Sequence, residues 1–312
     1  MGYTPLRIST VKPHRELSFD LYVHFKENYL IYAERGAEIP EEKYSKLRKQ
    51  KIAKFYITEQ DEPNYQAFLD KLLEDTMKDP NVSVDEKVNV VDGACSTAIE
   101  RMQENPESEG AYKMTNKAAK SLKNVIVNNP EALKKIFEKT AEDADLVIKH
   151  SLNVSALATR LAIRMKCSED EINNIAIAGL LHDVGLTRLN KQDQEIFKKE
   201  KSKLTSDDKR IYALHVKDAV AALKDKPWVN PDVMELVINH EETLSGDGPN
   251  KKSKLSMPEM VLSLVNTYDK YVLTTKCAPS QAIKDMMINE LGNYELDLIN
   301  KFKDVLAKEG LI

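Results

Sequence analysis

The chain is poor in residues that staple or anchor a protein. Its three cysteines, Cys95, Cys167 and Cys277, stand far apart in 312 residues. That odd number at such spacing argues against a disulfide framework or a zinc ribbon and reads as reduced, mostly buried thiols. No apolar run approaches the length, about 20 residues, that crosses a bilayer. The opening residues, Met-Gly-Tyr-Thr-Pro-Leu-Arg, hold no apolar signal core, so a cytoplasmic protein off the membrane is expected. There is no basic excess either: net charge is −4, which leaves no electrostatic footprint for DNA. No internal repeat is visible. A chain of 312 residues has room for two domains.

What is present divides near residue 80. Residues 1–80 read as a small α/β domain. Leu6–Val11 is a short β-type run. Phe19, Leu21, Val23 and Phe25 alternate with polar residues and fall on one strand face, and with Tyr29–Ala33 they predict a hairpin over 19–33 turning at Asn28. Pro40-Glu-Glu opens a helix to about Lys49. Ile52–Thr58 is a further strand, and Tyr65, Phe68, Leu69 and Leu72 lie at helical spacing after Pro63. The break Asp79-Pro-Asn-Val-Ser83 precedes a second domain, 81–312, that reads as almost wholly helical. Ser83-x-x-Glu86 and Ser168-x-x-Glu171 fit capping boxes. Helices are expected over about 84–103, 111–128, and from Pro130 through His150 to Met165. The fold class is therefore α+β overall, a small α/β domain followed by an all-α bundle. Lys198–Lys203 reads as a solvated face, and His14 and His24 as ordinary residues.

The other four of the six histidines form a series. His150, His182 with Asp183, His215, His240 and then Asp269 follow at steps of about one helix plus one connection. Each lies on the apolar stripe of its own segment: Val154, Leu157 and Leu161 with His150, for example, and Val261, Leu262 and Val265 with Asp269. One such histidine is usually a core residue bonded to a carbonyl. Five segments aiming ionisable groups at one core would be costly, since each unpaired buried polar group costs a few kcal/mol. A bound cation removes that cost, and imidazole with carboxylate suits divalent zinc, iron or manganese. The candidate metal ligands are His150, His182, Asp183, His215, His240 and Asp269.

The His…His-Asp…Asp pattern resembles the HD superfamily of metal-dependent phosphohydrolases. Asn239-His-Glu-Glu-Thr-Leu-Ser-Gly-Asp-Gly-Pro249 resembles the His-His-Glu…Gly-x-Gly-Tyr-Pro signature of the HD-GYP family, and His215-Val-Lys-Asp-Ala219 its His-Pro-x-x-Gly segment. The resemblance covers about 140–312. It implies a five-helix HD core, two divalent transition-metal ions (iron, with manganese or zinc as alternatives) bridged by Asp183 as the catalytic carboxylate, and hydrolysis of cyclic di-GMP or a related nucleotide. Residues 1–80 would then form a regulatory domain, open to a signalling-protein partner.

The sequence departs from that pattern. Asn239 replaces the first His of the His-His pair, and the motif Tyr is missing because Gly248 runs into Pro249. One extra residue lies between Glu241 and Gly246. Leu186 stands where a phosphate-facing Lys usually follows His-Asp-x-Gly. Leu146 occupies a place where some members carry a Glu ligand, so a third metal is not expected. Glu241 and Asn239 are candidate supporting groups or extra ligands, Arg188 a candidate phosphate contact, and Gly246 and Gly248 candidate substrate-binding positions in a lid. Two functions follow: a phosphodiesterase with weakened turnover, or a metal-containing cyclic-dinucleotide receptor or scaffold.

Overall fold

The computed structural model describes residues 2–50, 52–139 and 146–312. Its contacts divide the chain into two compact units, Met1–Thr97 and Ala98–Ile312.

In the first unit, β1 (Tyr3–Arg7), β2 (Leu21–Phe25), β3 (Asn28–Ala33) and β4 (Lys54–Thr58) form an antiparallel sheet in the order β1-β4-β2-β3. Helices α1 (Glu41–Lys49) and α2 (Glu62–Lys78) flank β4 in sequence. Phe19, just ahead of β2, packs edge-on against Tyr65 and Phe68 of α2.

Two strand expectations need correction. The first strand starts earlier and stops at Arg7, because the Thr10 hydroxyl donates to the Arg7 carbonyl at 2.7 Å and draws Ile8–Thr10 into a 3-10 turn. The hairpin turns at Lys26 and Glu27, both in the left-handed region (φ 45° and 65°), and Asn28 already belongs to β3. Phe25 is 58% exposed and so is not on the buried face. A register shift falls between Leu21 and Tyr22, and β2 pairs with β4 at Tyr22 opposite Tyr56.

The chain continues as α3 (Val84–Glu104), α4 (Glu109–Asn128), α5 (Ala132–Phe137), α6 (Leu146–Arg164) and α7 (Glu169–Leu181). After a 3-10 turn at Val184–Arg188 come α8 (Lys191–Gln194), α9 (Ser206–Tyr212), α10 (Leu214–Leu223), α11 (Pro231–Asn239), α12 (Met257–Thr275), α13 (Pro279–Asn289) and α14 (Leu296–Lys308). The expected long helix through 130–165 is represented by α5 and α6; residues 140–145 lie outside the described residues.

Helix α6 is buried on nearly every side, from Ile148 to Ala162, as suits the centre of a bundle, and it packs against α4, α7 and α12. The Ser168–Glu171 capping box starts α7 as the sequence suggests. Gly185 allows the 3-10 turn to press on α10: a Cβ there would lie 1.9 Å from the His215 carbonyl oxygen. No described helix is long and apolar enough to cross a membrane.

Candidate metal centre

Five elements deliver the histidine series to one buried place. His150 comes from α6 and His215 from α10. His182 and His240 cap the C-termini of α7 and α11, and Asp183 opens the following 3-10 turn. All four imidazoles are fully buried, and Asp183 nearly so.

Three of the imidazoles are oriented in the same way. His182 Nδ1 meets the Gly179 carbonyl at 2.9 Å, His240 Nδ1 meets the Val237 carbonyl at 2.7 Å, and His215 Nδ1 meets the Tyr212 carbonyl. Each partner lies three residues back in the chain. A carbonyl only accepts, so Nδ1 carries a proton and each Nε2 is turned inward, where the neutral form of the ring presents a lone pair.

Those lone pairs surround Asp183. Its Oδ2 lies 3.4 Å from His182 Nε2 and 3.6 Å from His150 Nε2. Its Oδ1 lies 3.3 Å from His215 Nε2 and 3.7 Å from His240 Nε2. Two groups of potential ligand atoms result, His150–His182–Asp183 and Asp183–His215–His240, each with its atoms within 4.8 Å of one another and sharing Asp183.

The geometry is poor for an ion-free core. His182 Nε2 and both Asp183 oxygens are buried without a hydrogen-bond partner. His215 and His240 bring their Nε2 atoms to 3.0 Å of each other. Burial, with His182 and His215 close by, drives His240 down to about 3, which keeps its ring neutral. Burial alone would raise Asp183, but His182 and His215 outweigh it and hold the carboxyl well below its usual range. A buried carboxylate facing inward imidazole nitrogens is a donor set that fits divalent cations.

The remaining sequence candidates are placed differently. Asp269 on α12 belongs to neither ligand group. Its Oδ2 accepts from His150 Nδ1 at 2.7 Å and its Oδ1 from Asn153 at 2.9 Å, so it stands behind His150. That is the carboxylate–imidazole arrangement that orients a metal-bound histidine. His150 Nε2 meets Asn266 Oδ1 at 2.9 Å, a bond it would exchange for a metal.

Glu241 lies at the edge of the cluster. Its Oε1 is 3.9 Å from His240 Nε2 and accepts from Asn266 and Tyr212, while its Oε2 pairs with Lys201 at 2.9 Å. Burial would raise Glu241, but Lys201 and the histidines hold it well below its usual range.

Asn239 is turned away: its amide donates to Glu235 and to Glu259. Arg188 is exposed and donates to the Asp218 carbonyl at 3.3 Å. Gly248 packs on the Glu242 carboxylate, which a Cβ there would strike at 2.5 Å. That carboxylate accepts from the Asn250 and Lys252 amides and so anchors the loop carrying Gly246 and Gly248. Leu186 is buried in an apolar cluster with Leu189, Ile196, Phe197 and Tyr212.

Sequence reasoning missed four side chains here. Asn153 and Asn266 lie three residues from His150 and Asp269 on the same helix faces, a signal that was available. Lys201, expected to be solvated, reaches Glu241 forty residues away. Lys270, directly after Asp269, is buried, and burial draws it down to about 7 against the pull of Asp183 and Glu241.

Among curated proteins, none matches the chain. Of solved structures, Bd1817, an HDG"Y"P protein from Bdellovibrio bacteriovorus, is similar at a TM-score of 0.77 and 24% identity, covering 98% of this chain and 100% of that one. It shares the fold. The HD domain family matches residues 120–297, a span that contains every residue of the buried cluster. The buried His/Asp cluster fits a metal-dependent phosphohydrolase, and the chain belongs to the HD domain family.

Proposed function

We propose that the chain is a binuclear metal phosphodiesterase acting on cyclic di-GMP or a related nucleotide. The observation that carries this reading is the shared Asp183: one carboxylate with both oxygens free of hydrogen bonds, each turned to a different pair of inward imidazoles. His150, His182 and Asp183 would hold one ion, and Asp183, His215 and His240 the other. Asp269 would act through His150, and Glu241 through His240. Iron is the first expectation for the pair, with manganese or zinc as alternatives. When bound, the ions supply Lewis acidity and charge neutralisation at a phosphoryl group. The protein's own part is to fix the rings through Gly179, Tyr212 and Val237, to share the Asp183 charge between the two positions, and to keep water out. The motif residues from His215 to Pro249, which resemble the HD-GYP signature, support the nucleotide substrate.

A second reading, a cyclic-dinucleotide receptor or scaffold that holds its metals with little turnover, is favoured by Leu186 and Asn239. The first is sealed in an apolar cluster and the second is bonded away from the centre. Elemental analysis of the purified protein, with turnover assays on cyclic di-GMP and linear diguanylate, separates the two. Metal with turnover supports the enzyme, metal with tight binding and no turnover supports the receptor, and a protein that takes up no metal ends both.

A further inference from the structure

Lys270 extends from α12 into the same apolar cluster that has taken in Leu186. Its ammonium lies 3.2 Å from the centre of the Phe197 ring and 4.7 Å from that of Tyr212. These two rings border opposite halves of the centre: Phe197 is 5.4 Å from the His150 ring and Tyr212 is 4.5 Å from the His215 ring. The ammonium is therefore held by two rings that each border one of the candidate ion positions.

Nearby carboxylates do not consume it. Glu241 pairs with Lys201, and Asp269 is engaged by His150 and Asn153. Among the described residues, the hydrogen-bond partner of Lys270 Nζ is the neutral Tyr212 hydroxyl, at 3.1 Å. One neutral acceptor and two ring faces are thin compensation for a buried ammonium with three donors. With two divalent cations in place, positive charge beside Lys270 would exceed the negative charge of Asp183, Glu241 and Asp269. An anion entering between them relieves that surplus.

We propose that Lys270 is the cation that meets a phosphate oxygen of the substrate, the contact that Leu186 cannot make. This rests on the phosphodiesterase reading above. The cage of Phe197 and Tyr212 positions the ammonium, and the apolar wall that Leu186 completes dries the space in which it acts.

The test uses the full-length, metal-loaded protein, with inorganic phosphate as a binding probe and bis(4-nitrophenyl) phosphate as a generic diester. Lys270→Met keeps the length of the side chain and removes the charge. It is expected to retain metal content and unfolding temperature, to bind phosphate at least about tenfold more weakly, and to lose about 10²–10³ in turnover. Adding Leu186→Lys to Lys270→Met should recover part of both, which a merely structural lysine would not allow. If the double variant does not fold, the phosphate affinity of Lys270→Met decides alone. Unchanged phosphate affinity in Lys270→Met overturns the proposal, as does loss of metal in step with loss of binding. A wild type that holds metal but neither binds phosphate nor cleaves the diester sinks the phosphodiesterase reading together with this one. A wild type that does either, matched by an equally able Lys270→Met, sinks the role of Lys270 alone.

Discussion

His215 and His240 face each other Nε2 to Nε2 at 3.0 Å, each with its Nδ1 committed to a backbone carbonyl. Without a proton between them, two Nε2 atoms held this way would oppose lone pair to lone pair. A cation placed against both, with Asp183 Oδ1 at 3.3 and 3.7 Å, turns the repulsion into coordination.

Asp183→Ala should remove more metal than Glu241→Ala. Asp183 is common to both ligand groups, whereas Glu241 is anchored by Lys201, Tyr212 and Asn266. Loss of Asp183 is expected to abolish tight binding at both positions, and loss of Glu241 to weaken affinity by about 10–100-fold. Elemental analysis after dialysis measures the difference; equal loss in the two variants would make Glu241 a direct ligand.

Metal retention should weaken in acid, and His182 should lead. Burial lowers the pKa of this imidazole, but Asp183 and the Gly179 carbonyl outweigh it and leave it raised above 6.5. Below that raised value a metal must displace a proton, so affinity falls as pH falls and recovers as pH rises. One displaced proton corresponds to about tenfold in apparent affinity per pH unit. Competition with a chelator at several pH values reads the slope, and a flat profile would contradict the ligand role of His182.

Gly185→Ala should destabilise the helical unit. The added methyl would lie 1.9 Å from the His215 carbonyl oxygen and 2.7 Å from the Ala219 nitrogen, so either the 3-10 turn or α10 must move. Overpacking of this kind costs about 1–3 kcal/mol. A clear drop in unfolding temperature is expected, accompanied by weaker metal binding because His215 shifts with α10. An unchanged unfolding temperature would argue against the close approach.

Glu259 should make stability depend on acid. It accepts from Ser256 at the start of α12, from Lys252 at 2.6 Å and from Asn239 at 2.7 Å. Burial would raise its pKa; Lys252 and Ser256 outweigh burial and hold it below 4.5. A carboxyl depressed in the folded state contributes stability that is fully present above 4.5 and is lost as pH falls through the folded value. Glu259→Gln keeps a capping-box acceptor but loses the charge that meets Lys252, so it should cost roughly 1 kcal/mol at neutral pH and should flatten the acid limb of thermal unfolding. Parallel acid limbs in the two proteins would count against this.

The inward residues were legible because polar side chains on otherwise apolar helical faces are costly and few. That pattern picked out His150 and His182 through to Asp269, but not how they divide. Whether Asp269 faces the ions or the back of His150 depends on how α12 is rotated against α6, a packing fact with no local signature. The pairing of Lys201 with Glu241 was invisible for a related reason: the lysine-rich turn is solvated as expected, and nothing local shows that one of its ammonium groups reaches a buried carboxylate. Thr10 shows the opposite limit. Its hydroxyl ends β1 through a bond within four residues, and the β-branched run around it hid that competition.

The three carbonyls behind His182, His215 and His240 belong to Gly179, Tyr212 and Val237. These residues differ in size and polarity, since it is their backbone oxygens that orient the imidazoles. The aim of each imidazole is thus written into the pitch of a helix end. A search for a shared residue type behind the histidines would find none, although two of the positions are held for other reasons: a Cβ on Gly179 would lie 2.5 Å from the Ser155 backbone, and the Tyr212 hydroxyl bonds Glu241. An insertion or deletion of one residue in any of these turns would rotate a histidine out of the centre, even if every named residue were kept.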